Sequence, residues 1–408
     1  MHLTDEEERM LAGEEGEAVR LSMRILTRLG DVFRAERMVP VSSVHAGCFC
    51  PKFSAAVEVM EKFAELGGKF RTTTTVDPII NPRNTSRWAE LTEPDELKQA
   101  TIRQITAFQK MGGIPTWSCT PYFQGNLPRR GECVSWVESS AIIFANSVLG
   151  ARTNRTSMGP DIASAITGRV PEYGLLLDEN RAGNVLVNVE FQPKNMFDYH
   201  NIGFIIGKAC NGKMPVIEGL PPWTTANQLK AMGSAAATKG GIALYHAVGI
   251  TPEAVTREQA FRGRAPELRL SIREKDIKAA IEEMNTIRGK GKVDAVLVGC
   301  PHPTVSEIKE LAELLNGKKV GQDIKFCLFA SGDTISWSHQ MGYIDVIEAS
   351  GVKIFEGECI VFHPAVKAWG WKNIATNSAK YACTLPSDPT YLNVLYTDTK
   401  GCVDLATT

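Results

Sequence analysis

From residue 275 onward the chain alternates short apolar runs with amphipathic stretches, and this pattern restricts its fold more than any other feature. The periodicities predict helices over 275–288, 304–315 and 336–350, with strands over 295–298, 324–330 and 352–355. Alternating strands and helices imply parallel βαβ units. Sheets of that kind present ligand-binding groups at the carboxyl ends of their strands. Cys300 follows the strand 295–298 by two residues, and Cys359 follows 352–355 in the same way.

Upstream the texture is mixed. A helix is expected over 6–29 with Thr4 as its N-cap, then a strand over 38–44 ending at His45. A helix over 55–66, a strand-like run over 69–76, a Pro- and Asn-rich loop over 77–87 and a helix over 93–111 follow. Residues 114–128 contain Pro115, Pro121, Gly125 and Pro128, too many breakers for a regular element, and they carry Cys119. The small apolar run 135–149 predicts a buried helix ended by Gly150, followed by the polar loop ARTNR, 151–155. Helices over 202–210 and 226–238, a buried strand over 241–248 and an exposed, arginine-rich connector over 256–272 complete the reading. At 408 residues the chain exceeds one hydrophobic core. Its expected division is 1–270, N-terminal lobes with the Cys119 loop and ARTNR, and 271–408, a C-terminal α/β lobe with Cys300 and Cys359.

Composition removes several function classes. Forty-five Lys and Arg balance 46 Asp and Glu, a net charge of −1, whereas a sequence-independent nucleic-acid binder needs a basic excess. No apolar run is long enough to span a bilayer, and the acidic, amphipathic first thirty residues do not read as a signal peptide. The expectation is a cytoplasmic protein with no nucleic-acid or membrane partner. Ten cysteines without a CxxC then read as thiols or as metal ligands drawn from separate segments. Phosphate loops, a GxSxG elbow and an HExxH pair are all missing from the sequence.

Cys119, Cys300 and Cys359 stand out by context, although spacing alone does not make them converge. In ARTNR, Arg152, Asn154 and Arg155 offer donors suited to a carboxylate or phosphate, and an exposed basic loop fits the same residues. In TNSAKY, Asn377, Ser378 and Lys380 could meet an anionic substrate or simply form a turn.

The segment SCTPYFQGNLPRRGECVSWVESSAIIFANSVLGARTNR, 118–155, resembles the signature of the aconitase X family, within the aconitase superfamily. TGRVPEYGLLLDENR, HAVGITPEA, VGCPHPTVSEI and TNSAKYAC resemble the family's later motifs in the same order, as does the opening LTDEEERMLAGEEGEAV. The resemblance implies an α/β, multi-lobed aconitase-like fold with parallel βαβ units around a central iron site. It implies Cys119, Cys300 and Cys359 as the metal ligands. On ligand count a four-iron four-sulfur cluster fits three thiolates best, with two-iron two-sulfur or mononuclear iron as alternatives. Ser139, Ser140, Arg152, Asn154, Arg155, Asn377, His45 and Thr75 are the implied substrate-binding set, and Ser378 and Lys380 the implied catalytic pair.

The implied activity is a hydro-lyase reaction on a small hydroxy-carboxylate: cis-3-hydroxy-L-proline as the first expectation, mevalonate 5-phosphate as the alternative. A non-catalytic iron-sulfur regulatory or binding subunit is the reading from another class. The superfamily's general base is a serine on a swivelling domain. This chain ends soon after TNSAKY, so that domain is expected on a small partner subunit, making the assembly a heterodimer. Two segments, 44–53 with Cys48 and Cys50, and 76–88, differ from the family's usual wording and leave the substrate open.

Overall fold

A computed structural model describes residues 1–47, 54–79, 95–287, 291–362, 365–387 and 390–407. Cys48 and Cys50, and most of the loop expected over 77–87, lie outside these residues. The chain forms two compact units, each built from separated segments. The first takes in residues 1–79, 95–184 and 243–266, and the second 185–242 with the chain from 267 onward. Residues 185–242, expected among the N-terminal lobes, therefore pack with the C-terminal segment.

In chain order the first unit has strands β1 (Met38–Pro40), β2 (Ser43–Ala46), β3 (Thr73–Val76), β4 (Val134–Trp136) and β5 (Arg169–Pro171). The second has β6 (Val185–Val189) and β7 (Pro215–Glu218). The two-residue β8 (His246–Ala247) belongs to the first unit. Then the second unit resumes with β9 (Leu268–Ile272), β10 (Ala295–Val298), β11 (Lys325–Ala330), β12 (Lys353–Glu356), β13 (Asn373–Thr376) and β14 (Asn393–Tyr396).

In the first unit β2 lies between β3 and β4, parallel to both, while β1 pairs antiparallel with β5. The single helix expected over 6–29 is two, Asp5–Ala12 and Glu17–Val32. Thr4 caps the first through a capping box with Glu7, as expected, and Gly13 stops it at φ 93°, a left-handed turn that glycine enters without steric cost. The buried helix expected over 135–149 begins as β4, continues as the helix Ser139–Phe144 and ends in a π-helical turn, Ala145–Leu149.

The second unit holds a five-stranded parallel sheet in the order β12-β11-β10-β13-β14. Its alternate residues separate into two cores. Ala295, Leu297, Phe329, Phe355, Ile374 and Val394 pack on one face with the helices Met196–Cys210, Ala226–Gly240 and Glu274–Met284. Val296, Val298, Leu328, Ile354 and Ala375 pack on the other with Val305–Leu315, Tyr343–Ala349 and Thr399–Ala406. Every residue of β10 is buried, as expected for a strand covered by helices on both sides. Each fully buried large apolar side chain contributes about 1.5–3 kcal/mol.

A second parallel set has β6 between β7 and β9. These three strands were not foreseen. β9 lies in the stretch expected as an exposed connector, because its outer residues Leu268 and Arg269 are exposed and mask the ladder. The buried strand expected over 241–248 is reduced to β8; Ile242, Leu244 and Tyr245 are buried, but residues 241–245 form no ladder.

Candidate active site

Strand order makes a switch point in the second unit. β11 leaves β10 on one side and β13 flanks it on the other, so the crevice beyond the carboxyl ends of β10 and β13 is where such sheets bind ligands. A cavity of about 120 Å³ occupies this place, lined by His200, Lys230, Cys300, Glu307, Asn377 and Asp398 among others. Gly299 delivers Cys300 to it at φ 104°; a Cβ at that glycine would lie 2.0 Å from the Phe329 carbonyl oxygen.

The loops after β10 and β12 are tied together. His302 Nε2–H donates to the Glu358 carbonyl at 3.0 Å, beside Cys300 on one loop and Cys359 on the other. Lys230, 2% exposed, braces the first loop by donating to the His302 carbonyl at 3.2 Å and to Glu307 at 2.6 Å. Burying a lysine is costly unless its amino group is paired and hydrogen-bonded in this way. His200 lines the cavity with Nδ1 unpartnered among the described residues, and burial pushes its basicity down to about 4, so it is neutral.

The TNSAKY residues lie at the same edge, after β13. Asn377 donates to Thr399 Oγ1 at 3.0 Å, across to the turn after β14. Ser378 is buried and its Oγ accepts from Tyr381 N–H at 3.2 Å, capping the helix Ala379–Thr384. Lys380 is half-buried in the first turn of that helix.

In the first unit a polar network closes the carboxyl edge of the three-stranded sheet. His45, with no exposure, reaches Thr75 Oγ1 from Nδ1 at 2.9 Å and Asp77 Oδ1 from Nε2 at 2.9 Å. Asn126 donates through Nδ2 to Thr75 Oγ1 at 2.9 Å and to the Val44 carbonyl at 3.1 Å. Trp136 packs edge-on against the His45 ring. Cys119 is buried in the irregular stretch, next to Ser118, whose N–H bonds the Val76 carbonyl at 3.1 Å. Ser139 and Ser140 begin a helix at the same edge, and both hydroxyls bond the Glu138 carboxylate, which also accepts from Ser140 N–H at 2.8 Å. Glu138 holds φ 70°, a strained position for a residue with a Cβ, costing on the order of 1–3 kcal/mol.

ARTNR is engaged with the chain itself. Arg152 donates to the Leu176 carbonyl at 2.7 Å and to Asp178 at 2.6 Å. Asn154 donates to the Tyr173 carbonyl and accepts from Leu175 N–H, both at 2.8 Å. Arg155 is exposed. The buried guanidinium holding this region is Arg181, which grips Glu253 and the carbonyls of Asn146, Ala151 and Leu175.

Three thiols are a soft donor set suited to iron-sulfur chemistry, and the tie between the Cys300 and Cys359 loops fits a shared group there. Among the described residues, no three His, Cys, Asp or Glu side chains gather around one point as a closed metal site. Sequence reasoning missed Asp77, Asn126, Glu138, Lys230 and Glu307. Asp77 and Asn126 had a readable signal, polar residues beside predicted strands and breakers. Lys230 had none, since a lysine in a helix reads as solvated.

Comparisons with known proteins agree with this architecture. Profiles described as the Aconitase X first, second and third domains match residues 1–179, 183–282 and 293–408. The chain is 38% identical over 395 residues to the phosphomevalonate dehydratase large subunit of Methanocaldococcus jannaschii, covering 95% of this chain and 96% of that one. It is 33% identical over 401 residues to the cis-3-hydroxy-L-proline dehydratase of Pseudomonas aeruginosa, covering 97% of this chain and 68% of that one. The crystal structure of Thermococcus kodakaraensis aconitase X in its holo form superposes with a TM-score of 0.87 at 36% identity, covering 100% of both chains. These relatives define an α/β enzyme of the hydro-lyase class. The chain belongs to the aconitase X family.

Proposed function

We propose that this protein is the large subunit of a two-subunit dehydratase that removes water from a small hydroxy-carboxylate, with cis-3-hydroxy-L-proline as its substrate. The observation that carries the reading is the carboxyl edge of the five-stranded sheet. Cys300, Cys359 and Asn377 follow three of its strands, and the cavity at the switch point takes in Cys300 and Asn377. Cys119, Cys300 and Cys359 would hold the iron or iron-sulfur group. When bound, that group supplies a Lewis acid for the departing hydroxyl.

The chain's own residues do the rest. Asn377, held by Thr399, presents an amide at the switch point. Lys380, in the first helical turn beyond β13, adds positive charge toward a carboxylate whose charge grows as the neighbouring proton leaves. Ser378 fixes that turn through its bond to Tyr381 N–H and can hold a proton on Oγ. The base that takes the α-proton belongs to a small partner subunit; the large-subunit names of several relatives support such a partner. A cytoplasmic setting suits thiol ligands.

Mevalonate 5-phosphate is the second reading. It is favoured by length, since the chain spans 96% of a phosphomevalonate dehydratase large subunit and 68% of a cis-3-hydroxy-L-proline dehydratase. The test is anaerobic turnover of both compounds by the complex with the small subunit, with iron and acid-labile sulfide measured on the same sample. Dehydration of cis-3-hydroxy-L-proline, abolished together with iron binding in Cys300→Ser or Cys359→Ser, supports the first reading; dehydration of mevalonate 5-phosphate alone, lost in the same variants, replaces it with the second. A complex that binds no iron under reconstitution overturns it.

A further inference from the structure

We propose that the switch-point cavity of the second unit receives an ammonium group of the substrate, and that Glu310 and Asp398 select it; the inference rests on the dehydratase reading above. Its basis is the balance of donors and acceptors around that one cavity, whose lining residues all belong to the second unit.

The cavity spans the carboxyl edge of the five-stranded sheet. His200 lines it from the helix Met196–Cys210 on one face, while Glu307 and Glu310 of Val305–Leu315 and Asp398, the cap of Thr399–Ala406, line it from the other. His200 is 8% exposed and its Nδ1 takes no hydrogen bond among the described residues. A buried polar side chain left without a partner is unfavourable, and one that lines a cavity marks a place that a polar ligand completes. The cations on this lining are already committed. Lys230 donates to Glu307 at 2.6 Å and to the His302 carbonyl at 3.2 Å, and Lys400 pairs with Asp404 one turn along its own helix. Both helix starts are closed by their own side chains: Asn195 accepts from Asp198 N–H at 3.0 Å, and Asp398 Oδ1 from Gly401 N–H at 2.7 Å. A phosphate would find neither a spare cation nor an uncapped helix start here.

Acceptors, by contrast, are left over. Glu310 has neither an ion pair nor a hydrogen bond among the described residues, and Asp398 uses one carboxyl oxygen for its cap and keeps Oδ2 open. Burial, and then the neighbouring Glu307 and Asp398, push the Glu310 carboxyl up from its ordinary value, as expected where like charges are held close together. A cation placed among them relieves that crowding, and a second anion adds to it. Among the described residues no three His, Cys, Asp or Glu side chains gather closely enough to hold a metal ion. Acceptors spaced more widely than metal ligands suit an organic cation reached through hydrogen bonds. A cavity of about 120 Å³ admits a compact group of that kind. A zwitterionic amino-hydroxy acid therefore fits this place, and an ester ending in phosphate does not.

The experiment uses the iron-loaded two-subunit complex with wild-type chain, with Glu310→Gln, with Asp398→Asn and with both. Each substitution keeps the side chain's shape, and asparagine still caps a helix. Titration calorimetry gives dissociation constants for cis-3-hydroxy-L-proline and for cis-2-hydroxycyclopentane-1-carboxylate, in which a methylene replaces the ring nitrogen. Turnover of cis-3-hydroxy-L-proline and mevalonate 5-phosphate, and iron per chain, are recorded on the same samples. The wild type is expected to bind the amino acid about tenfold more tightly than the carbocycle. Each single substitution lowers that ratio about threefold and the double variant brings it to about one, with iron unchanged. A wild-type ratio near one, or a ratio that the double variant leaves unmoved, overturns the proposal; iron-dependent turnover of either compound then leaves the dehydratase reading standing. Loss of iron in either variant also overturns it, by assigning these carboxyl groups to the metal site. A complex that neither binds nor dehydrates either compound takes the underlying reading down with the proposal.

Discussion

Asp161→Asn is expected to remove a pH dependence of stability from the first unit, so that the variant is the weaker protein in acid and the stronger one above neutrality. Asp161 begins the helix Pro160–Thr167 and is completely buried, its carboxyl accepting Gly47 N–H at 2.8 Å and Ile162 N–H at 2.7 Å. Burial pushes its pKa up from 3.8 to about 7, and the backbone donors offset only part of that rise. Between those values the folded chain holds a proton that the unfolded chain releases. The associated stability is complete below about pH 4 and is lost as pH rises through 7. At 1.36 kcal/mol per pKa unit, the loss comes to about 4 kcal/mol. An amide does not ionise, but it accepts through one oxygen where the carboxyl used two, a loss of about 1 kcal/mol. Urea unfolding should therefore show Asp161→Asn weaker than wild type by about 1 kcal/mol at pH 4 and stronger by about 3 kcal/mol at pH 8. Parallel curves for the two proteins from pH 4 to 8 would refute the reasoning, because they would mean that Asp161 is ionised throughout.

Four further outcomes are expected. His200, depressed to about 4 from 6.5 by burial, contributes stability that is present above pH 6.5 and lost toward pH 4, so His200→Gln should remove about 3 kcal/mol of acid sensitivity in urea titrations. Gly299→Ala drives a Cβ into the Phe329 carbonyl at a positive φ, and thermal unfolding should show a loss of about 3 kcal/mol together with reduced iron content. Arg181→Met strands the half-compensated Glu253, two buried carbonyls and a third that is part-buried, an expected cost of about 3–5 kcal/mol by denaturant titration. His302→Ala unties the Cys300 and Cys359 loops; circular dichroism should stay native while iron per chain falls.

The five-stranded sheet was legible because β10, β11 and β12 are apolar on both faces, and only helices packed on either side bury such runs. Cys300 and Cys359 could be read from the same logic, as residues placed just past the strand ends. What escaped was whatever depended on partners distant in sequence. β6, β7 and β9 are short, and the exposed Leu268 and Arg269 hide the period of the last. Lys230 looks like a surface residue of a helix until Glu307, 77 positions later, neutralises it. Arg152 and Asn154 have the right chemistry for an anionic ligand, and only the fold shows their donors turned to Leu176, Asp178 and Tyr173.

The two sheet edges differ in what fixes them. At the five-stranded edge the loops are set by backbone: a glycine pressed on a carbonyl, a histidine bonded to a carbonyl, a lysine bonded to a carbonyl. Substitutions there disturb the placement of thiols. At the three-stranded edge the positions are set by side chains holding one another, from Asn126 to Thr75 to His45 to Asp77.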